Sequence, residues 1–117
     1  MHPAPGDSDE GVSVKTKAAV LWELNAPWTI EEIELDAPGP NEVLVKLAAS
    51  GMCHSDEHLV TGDLPFELPI IGGHEGAGVV QQVGSNVSWL APGDHVVFGF
   101  IPSCGRCVSC STGHQNL

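Results

Sequence analysis

The sequence has 117 residues, of which 42% are apolar, so it can bury one modest hydrophobic core and not two. Fifteen acidic side chains against four basic ones give a formal net charge of −11, which repels nucleic-acid phosphates and anionic lipid headgroups. No apolar stretch approaches transmembrane length, so we expect neither a nucleic-acid partner nor a membrane partner. The 14 Gly and 9 Pro favour a turn-rich β or α+β domain over a helical bundle, and the elements predicted below make it mainly β with short helices.

The first residues of the chain differ in composition from the rest. Residues 1–13 are rich in Pro, Gly, Ser and Asp, and we predict a disordered leader there because this segment cannot bury enough apolar surface to offset chain entropy. The first ten residues have three acidic side chains and no apolar core, so they do not resemble a secretory signal. We expect one folded unit over residues 14–117, in the reducing cytoplasm.

Alternating and β-rich patterns predict the strands of the folded unit. In chain order these strands cover residues 15–23, 28–35, 42–50, 76–87 and 95–100. We expect a hairpin turn at Asn25 and Pro27 to join the first two strands. The third strand has the clearest alternation, which places Val43, Val45 and Leu47 on one face.

Two further segments carry most of the chemically reactive side chains. Polar helix formers followed by a glycine predict a short helix between Cys53 and Gly62. After the last predicted strand, residues 102–117 have almost no apolar side chains, and we expect an irregular lobe there.

The lobe contains three cysteines, Cys104, Cys107 and Cys110, in the spacing C-x2-C-x2-C. Tight turns at this spacing can aim several thiolates at one metal ion, whereas unliganded thiols in a loop are open to oxidation. A structural zinc needs four ligands, so either His114 completes a Cys3His site or the fourth ligand lies beyond Leu117. The run also fits three positions of an iron–sulfur motif, and an iron–sulfur electron carrier is therefore an alternative to the favoured zinc site.

A second candidate site combines Cys53 with His74 and Glu75, which lie in the segment GGHEGAG. A thiolate and an imidazole can share a catalytic zinc with an open position, although no third ligand is evident in the sequence. A buried thiol and an unrelated surface imidazole would be the simpler reading of the same residues. His54 and His58 are one helical turn apart and form a weaker candidate for a metal site.

Four motifs together resemble the zinc-dependent medium-chain alcohol dehydrogenases. They are GMCHSDEH at 51–58, GGHEGAGVV at 72–80, PGDHVV at 92–97 and CGRCVSC at 104–110. The resemblance begins at about Lys15 and implies a GroES-like, partly open β-barrel, which is the first and incomplete part of that family's catalytic domain. The stretch 51–80 is similar to a bacterial branch that includes nicotinoprotein alcohol dehydrogenases.

The resemblance implies two zinc ions. Cys53 and His74 would be ligands of a catalytic zinc, with Glu75 as a nearby carboxylate that tunes the metal. The structural zinc of the lobe would be held by Cys104, Cys107 and Cys110.

The same resemblance assigns roles to four residues of the predicted helix. Asp56 would orient the His74 ring, and His54 would lie near the cofactor pyrophosphate. Ser55 would hydrogen-bond the substrate hydroxyl and begin a proton relay that His58 passes to solvent. The implied reaction oxidises a small alcohol to an aldehyde or ketone, with Zn²⁺ polarising the oxygen and NAD(H) carrying the hydride.

In this family, the third catalytic ligand, the Rossmann domain and the fourth structural cysteine come after the position where this sequence stops. We therefore expect an amino-terminal fragment that is inactive by itself and belongs to an enzyme that is a homo-oligomer at full length. The alternative is a stand-alone GroES-like zinc-binding module without catalysis, in which His114 completes the lobe site.

Overall fold

The computed structural model describes residues 13–117 of the chain. The predicted leader, residues 1–13, lies outside the described residues apart from Ser13. In chain order the described elements are β1 (Val14–Leu21), β2 (Thr29–Leu35), β3 (Val43–Gly51), α1 (His54–Thr61), β4 (Ile70–Ile71), β5 (Glu75–Val83), β6 (His95–Val97) and α2 (Val108–Ser111). The prediction of a mainly β fold with short helices is confirmed.

The first sheet has the strand order β2-β1-β4, and its strands pair antiparallel. β1 and β2 form the predicted hairpin, with Val14 opposite Leu35 and Val20 opposite Thr29. Asn25, in the connection between them, has a φ of 59°, a left-handed conformation that Asn tolerates better than most residues. The sequence pattern does not predict β4, because a strand of two residues is too short to show alternation.

The second sheet has the strand order β3-β5-β6 and is also antiparallel. Two register shifts, between Leu44 and Val45 and between Leu47 and Ala49, interrupt the pairing of β3 with β5. A shift of one residue turns the following side chains to the other face of the sheet. The first shift skips Gln81 of β5 and the second skips Ala48 of β3, so Val43, Val45 and Leu47 lie along an uninterrupted stretch of β3. Burial does not alternate along this stretch: Val43, Leu44 and Val45 are all half-buried, and Leu47 is 50% exposed.

β6 is shorter than the strand predicted over residues 95–100. After its last residue, the N–H of Phe98 donates one more hydrogen bond to the carbonyl of Gly76 at 2.8 Å, and the chain then leaves the sheet. The segment HVVFGF is apolar almost throughout, so its pattern does not indicate where the pairing ends.

The two helices differ in how well the sequence predicts them. α1 begins after Cys53 and ends before Gly62, as predicted: the Asp56 carboxylate accepts the Cys53 N–H at 3.0 Å, and Gly62 closes the helix with a left-handed φ of 83°. α2 is a single turn whose N-cap, Cys107, accepts the N–H of Cys110 through its side chain. The lobe that the sequence predicts as irregular therefore contains one helical turn of four residues.

Both sheets contribute to a small core. Leu21 of β1 is fully buried and Val80 of β5 is 1% exposed, and Val20 and Val87 are the other buried apolar residues in the described part of the chain. Neither helix found in residues 13–117 has the length and apolar character needed to cross a membrane.

We predict that Leu21→Ala lowers the free energy of unfolding by about 2–5 kcal/mol, because it leaves a cavity at a fully buried position. Urea unfolding followed by circular dichroism measures this change. The matched control is Ile30→Ala on β2, where the side chain is 69% exposed and the loss should stay within about 0.5 kcal/mol. Equal losses in the two variants would contradict the proposed location of the core.

Candidate metal centres

Two groups of potential metal ligands come together in the structure. The Sγ of Cys53, a ring nitrogen of His74 and a carboxylate oxygen of Glu75 lie within 4.8 Å of one another, and we name this group the α1 site. The lobe site consists of the Sγ atoms of Cys104, Cys107 and Cys110, which also lie within 4.8 Å of one another. The structure thus brings together the two sets of residues that the sequence singles out.

The α1 site forms where the end of β3 lies beside the start of β5. Gly51, the last residue of β3, pairs with Glu75, the first residue of β5. Cys53 follows two residues after Gly51 as the N-cap of α1, and His74 immediately precedes β5. The antiparallel pairing of β3 with β5 therefore places the thiol beside the imidazole, although the two residues are distant in sequence.

Asp56 connects the two segments that carry these ligands. Its residue is 7% exposed, and its carboxylate accepts the N–H of Cys53 at 3.0 Å and the N–H of Gly73 at 3.2 Å. Oδ1 of Asp56 also lies 3.6 Å from Nδ1 of His74. A carboxylate beside one ring nitrogen fixes the orientation of the imidazole and leaves the other nitrogen available to a metal.

Ser55 lies on the opposite side of the His74 ring from Asp56. Its Oγ is 3.2 Å from Nε2 of His74. Hydrogen bonds from Ser55, first from its side chain and then from its backbone, hold the pKa of the Cys53 thiol below its usual value, and His74 adds to this effect. The hydrogen bond with Cys53 in turn raises the pKa of His74. The surroundings of Cys53 therefore favour the thiolate, which is the form that binds metals.

Glu75 reaches the α1 site because the residue opposite it is a glycine. A Cβ built on Gly51 would lie only 3.2 Å from the Cβ of Glu75 and 3.4 Å from its carboxyl carbon. A side chain at position 51 would therefore displace the Glu75 carboxylate. The sulfur, nitrogen and oxygen donors that the site combines are the three ligand types that zinc accepts in proteins, so the residues fit a zinc ion.

The two histidines of the helix α1, His54 and His58, lie towards solvent. The rings of His54 and His58 meet edge to face with centroids 4.9 Å apart, and Nδ1 of His58 lies 3.2 Å from Oδ2 of Asp63. Among the described residues, no third donor joins these two histidines at ligand distance. The geometry therefore does not support His54 and His58 as a metal site of their own.

The lobe site is held by local backbone contacts. The Sγ atoms of Cys104 and Cys110 are 4.0 Å apart. Two thiolates on a tetrahedral zinc, with Zn–S bonds of about 2.3 Å, would be about 3.8 Å apart. The N–H of Cys107 donates to the Sγ of Cys104 at 3.2 Å, and the N–H of Cys110 donates to the Sγ of Cys107 at 3.4 Å. These three thiols fit one zinc ion.

The same contacts stabilise negative charge on the lobe sulfurs. The backbone of Arg106, followed by that of Cys107, lowers the pKa of Cys104. The hydroxyl of Ser103, whose Oγ is 3.5 Å from the Sγ of Cys110, is the main reason that the pKa of Cys110 falls to about 6. The lobe thus favours thiolates, as a metal site requires.

His114 does not join the lobe site. Its Nδ1 lies 3.2 Å from Oγ1 of Thr112, and it is not among the clustered ligands of residues 13–117. The structure therefore gives no support to a Cys3His site completed by His114, and the described residues supply three ligands.

Two contacts at or near the α1 site have no clear signal in the sequence. The ring of Phe100 lies 4.8 Å from the ring of His74, centroid to centroid, at a tilt of 50°. Phe100 falls in the segment predicted as a strand, and its pattern does not point to a ligand. Asp63, which contacts His58, directly follows Gly62 at the end of α1. An acidic residue at that position is equally typical of an exposed loop, so the sequence does not indicate the contact.

Comparisons with known proteins identify the family. Residues 39–117 match the alcohol dehydrogenase GroES-like domain. Alcohol dehydrogenase B from Mycobacterium tuberculosis is 57% identical over 105 residues, which are 89% of this chain and 28% of that relative. The crystal structure of an alcohol dehydrogenase zinc-binding domain protein from Burkholderia ambifaria has a TM-score of 0.84 and 45% identity, covering 89% of this chain and 28% of that one.

A second similar structure contains a bound cofactor. The crystal structure of CAD from Helicobacter pylori, complexed with NADP(H), has a TM-score of 0.73 and 29% identity over 89% of this chain and 30% of that chain. The chain therefore spans less than a third of the length of these proteins. The family match includes every residue of the α1 site and of the lobe site. The chain belongs to the alcohol dehydrogenase GroES-like domain family, within the zinc-dependent medium-chain alcohol dehydrogenases that its four motifs indicate.

Proposed function

We propose that this chain is the zinc-binding part of an alcohol dehydrogenase that oxidises small alcohols to aldehydes or ketones. The observation that carries the proposal is the convergence of Cys53, His74 and Glu75 within 4.8 Å, with Asp56 behind the imidazole. A catalytic zinc needs such ligands together with an open position for substrate. The name of the mycobacterial relative supports the substrate class, and the NADP(H) in the Helicobacter structure supports a nicotinamide cofactor.

The residues of the α1 site would hold and orient the metal. When bound, zinc would supply Lewis-acid polarisation of the alcohol oxygen, and the nicotinamide would accept the hydride. Cys53 and His74 are the proposed ligands, and a carboxylate oxygen of Glu75 lies within 4.8 Å of their ligand atoms. Oδ1 of Asp56 lies 3.6 Å from Nδ1 of His74, and Nε2, which the Ser55 hydroxyl contacts at 3.2 Å, would be the nitrogen that binds the metal.

Ser55 and His58 would form the proton path. The Ser55 hydroxyl lies beside the His74 ring, where it can accept a hydrogen bond from a substrate hydroxyl. Ser55 and His58 are three residues apart on α1 and therefore share one face of the helix. The His58 side chain is 42% exposed and contacts Asp63, so a proton that reaches it can pass to solvent. We propose that His54, exposed one turn from His58, contacts the cofactor pyrophosphate.

The remaining assignments follow from family membership. We propose that Cys104, Cys107 and Cys110 hold a structural zinc, which stays loosely bound until a fourth ligand completes it. The proposed activity belongs to a longer, homo-oligomeric enzyme of the nicotinoprotein-containing bacterial branch, and the chain alone would be inactive because it has no dinucleotide-binding fingerprint. The four free cysteines suit the reducing cytoplasm.

We predict that a chimera will be an active alcohol dehydrogenase when residues 13–117 replace the matching segment of the mycobacterial relative. Cys53→Ser in that chimera should lower kcat/KM for alcohol oxidation by more than about a hundredfold, because the metal supplies several kcal/mol of transition-state stabilisation. The measurement is the appearance of reduced nicotinamide cofactor with a primary alcohol as substrate.

The matched control for this experiment is Met52→Leu, a change at an 89% exposed side chain next to Cys53, which should leave turnover unchanged. The 117-residue chain by itself should show no turnover. A chimera that binds zinc and folds but oxidises no alcohol would favour the stand-alone zinc-binding module. Full turnover in the Cys53→Ser chimera would refute the catalytic assignment.

We predict that Asp56→Asn weakens zinc binding at the α1 site by roughly 10- to 100-fold, because the ring of His74 loses the carboxylate that orients it. The test uses the 117-residue chain with Ser at positions 104, 107 and 110, so that Cys53 is the only thiol; we name it the single-thiol chain. Competition with a chromophoric chelator measures the affinity. Glu57→Gln, on the exposed side of the same helix, is the control, and equal affinity in both variants would contradict the role of Asp56.

We predict that the purified chain binds zinc and has no visible iron–sulfur absorption. Cys107→Ser should remove the lobe zinc, about one equivalent per chain, and lower the unfolding midpoint, because metal binding and folding are coupled at such sites. Elemental analysis and urea unfolding measure the two effects. Ser109→Ala, inside the same run, is the control. Visible colour with acid-labile sulfide would instead identify an iron–sulfur protein.

A further inference from the structure

We propose that Trp28 is a positioning residue for the α1 site: its indole ring, packed against Gly72, sets the position of the metal ligand His74. This inference deepens the proposed function and rests on the α1 site being a metal site. In this proposal Trp28 acts through the three-residue segment from Gly72 to His74.

The contact between Trp28 and Gly72 crosses the first sheet. Trp28 immediately precedes β2, and Gly72 immediately follows β4, with β1 between these two strands. The N–H of Gly72 donates to the carbonyl of Ala19 on β1 at 3.0 Å. A Cβ built on Gly72 would lie 2.6 Å from Cζ3 and 3.1 Å from Cζ2 of Trp28, so the half-buried ring leaves no room for even a methyl group.

The segment that follows Gly72 leads directly to the ligand. Gly73 has a φ of 98°, a conformation that favours glycine, and its N–H donates to Oδ1 of Asp56 at 3.2 Å. His74 comes next, with Nδ1 at 3.6 Å from the same oxygen. The segment is therefore held at one end by Trp28 and Ala19 and at the other end by Asp56.

Asp56 and Trp28 hold the segment from Gly72 to His74 against two different parts of the fold. Asp56 belongs to α1, whose N-cap is Cys53, so it holds His74 relative to the thiol. Trp28 holds the same segment relative to the first sheet. A displacement at Gly72 must be absorbed within two residues, either by the Gly73–Asp56 hydrogen bond or by the His74 ring. Metal affinity depends on ligand placement to within a few tenths of an ångström, so the contact with Trp28 should be measurable as an affinity.

The test compares Co²⁺ binding by variants of the single-thiol chain, in which the sulfur-to-cobalt charge-transfer absorption reports Cys53 alone. Gly72→Ala should weaken Co²⁺ binding by roughly tenfold or more, because the methyl group pushes against the ring. Trp28→Leu alone should weaken binding by a smaller factor, because it loosens the segment. The Trp28→Leu/Gly72→Ala double variant should recover most of the affinity that Gly72→Ala loses, because the smaller side chain makes room for the methyl group.

The control is Gly99→Ala, since a Cβ at Gly99 meets nothing within 4 Å, and its Co²⁺ affinity should equal that of the parent. Urea unfolding of each variant separates stability from ligand placement, because a purely structural contact would change the unfolding midpoint and leave the affinity and the absorption of the folded chain unchanged. If Gly72→Ala does not fold, Trp28→Leu and the double variant decide the outcome.

Unchanged affinity in folded Gly72→Ala, or in Trp28→Leu when Gly72→Ala does not fold, would overturn the inference. A loss that the double variant does not recover would also overturn it, since the methyl group would then act against something other than Trp28. Both results leave the proposed function intact. Absence of Cys53-dependent absorption in the parent chain would instead refute the metal site, and with it the proposed function.

Discussion

The carboxylate of Asp56 holds the α1 site together. It accepts backbone N–H groups from the Cys53 segment and from the Gly73 segment, and it faces the imidazole of His74. Burying a carboxylate costs free energy unless hydrogen-bond donors replace the lost water. The two backbone N–H groups that donate to Asp56 supply this compensation. One side chain thereby fixes the start of α1, the turn before β5 and the orientation of a proposed ligand.

The two metal centres are built in different ways. The lobe site depends on hydrogen bonds between close neighbours in sequence, with each thiol contacting a residue no more than seven positions away. The α1 site depends on tertiary structure, because the pairing of Gly51 with Glu75 joins segments that the sequence separates. The order of the lobe site comes from its own short segment, whereas the order of the α1 site comes from the pairing of the strands. This difference agrees with the proposal of a structural ion in the lobe and a catalytic ion at α1.

Two glycines near the α1 site leave no room for larger side chains at their positions. Gly51 leaves space for Glu75, and Gly72 leaves space for the ring of Trp28. In both places a neighbouring side chain occupies the volume that a Cβ would need, and interiors packed this closely pass small displacements on to their neighbours. The glycines of GGHEGAG therefore do more than permit turns, and the close approach that they allow brings large side chains up to the ligand segment.

The sequence determined the local parts of this protein. The hairpin of β1 and β2, the limits of α1 and the thiol cluster depend on turn residues, caps and short spacings, all of which can be read from neighbouring residues. The four motifs also identified the family. Only the tertiary structure decided the remaining features: the two-residue β4, the register shifts between β3 and β5, the early end of β6 and the contacts of Phe100 and Trp28 with the segment around His74. Each of these features depends on which residues, distant in sequence, pair or pack with the segment. The hydrophobic periodicity of a segment does not identify those residues.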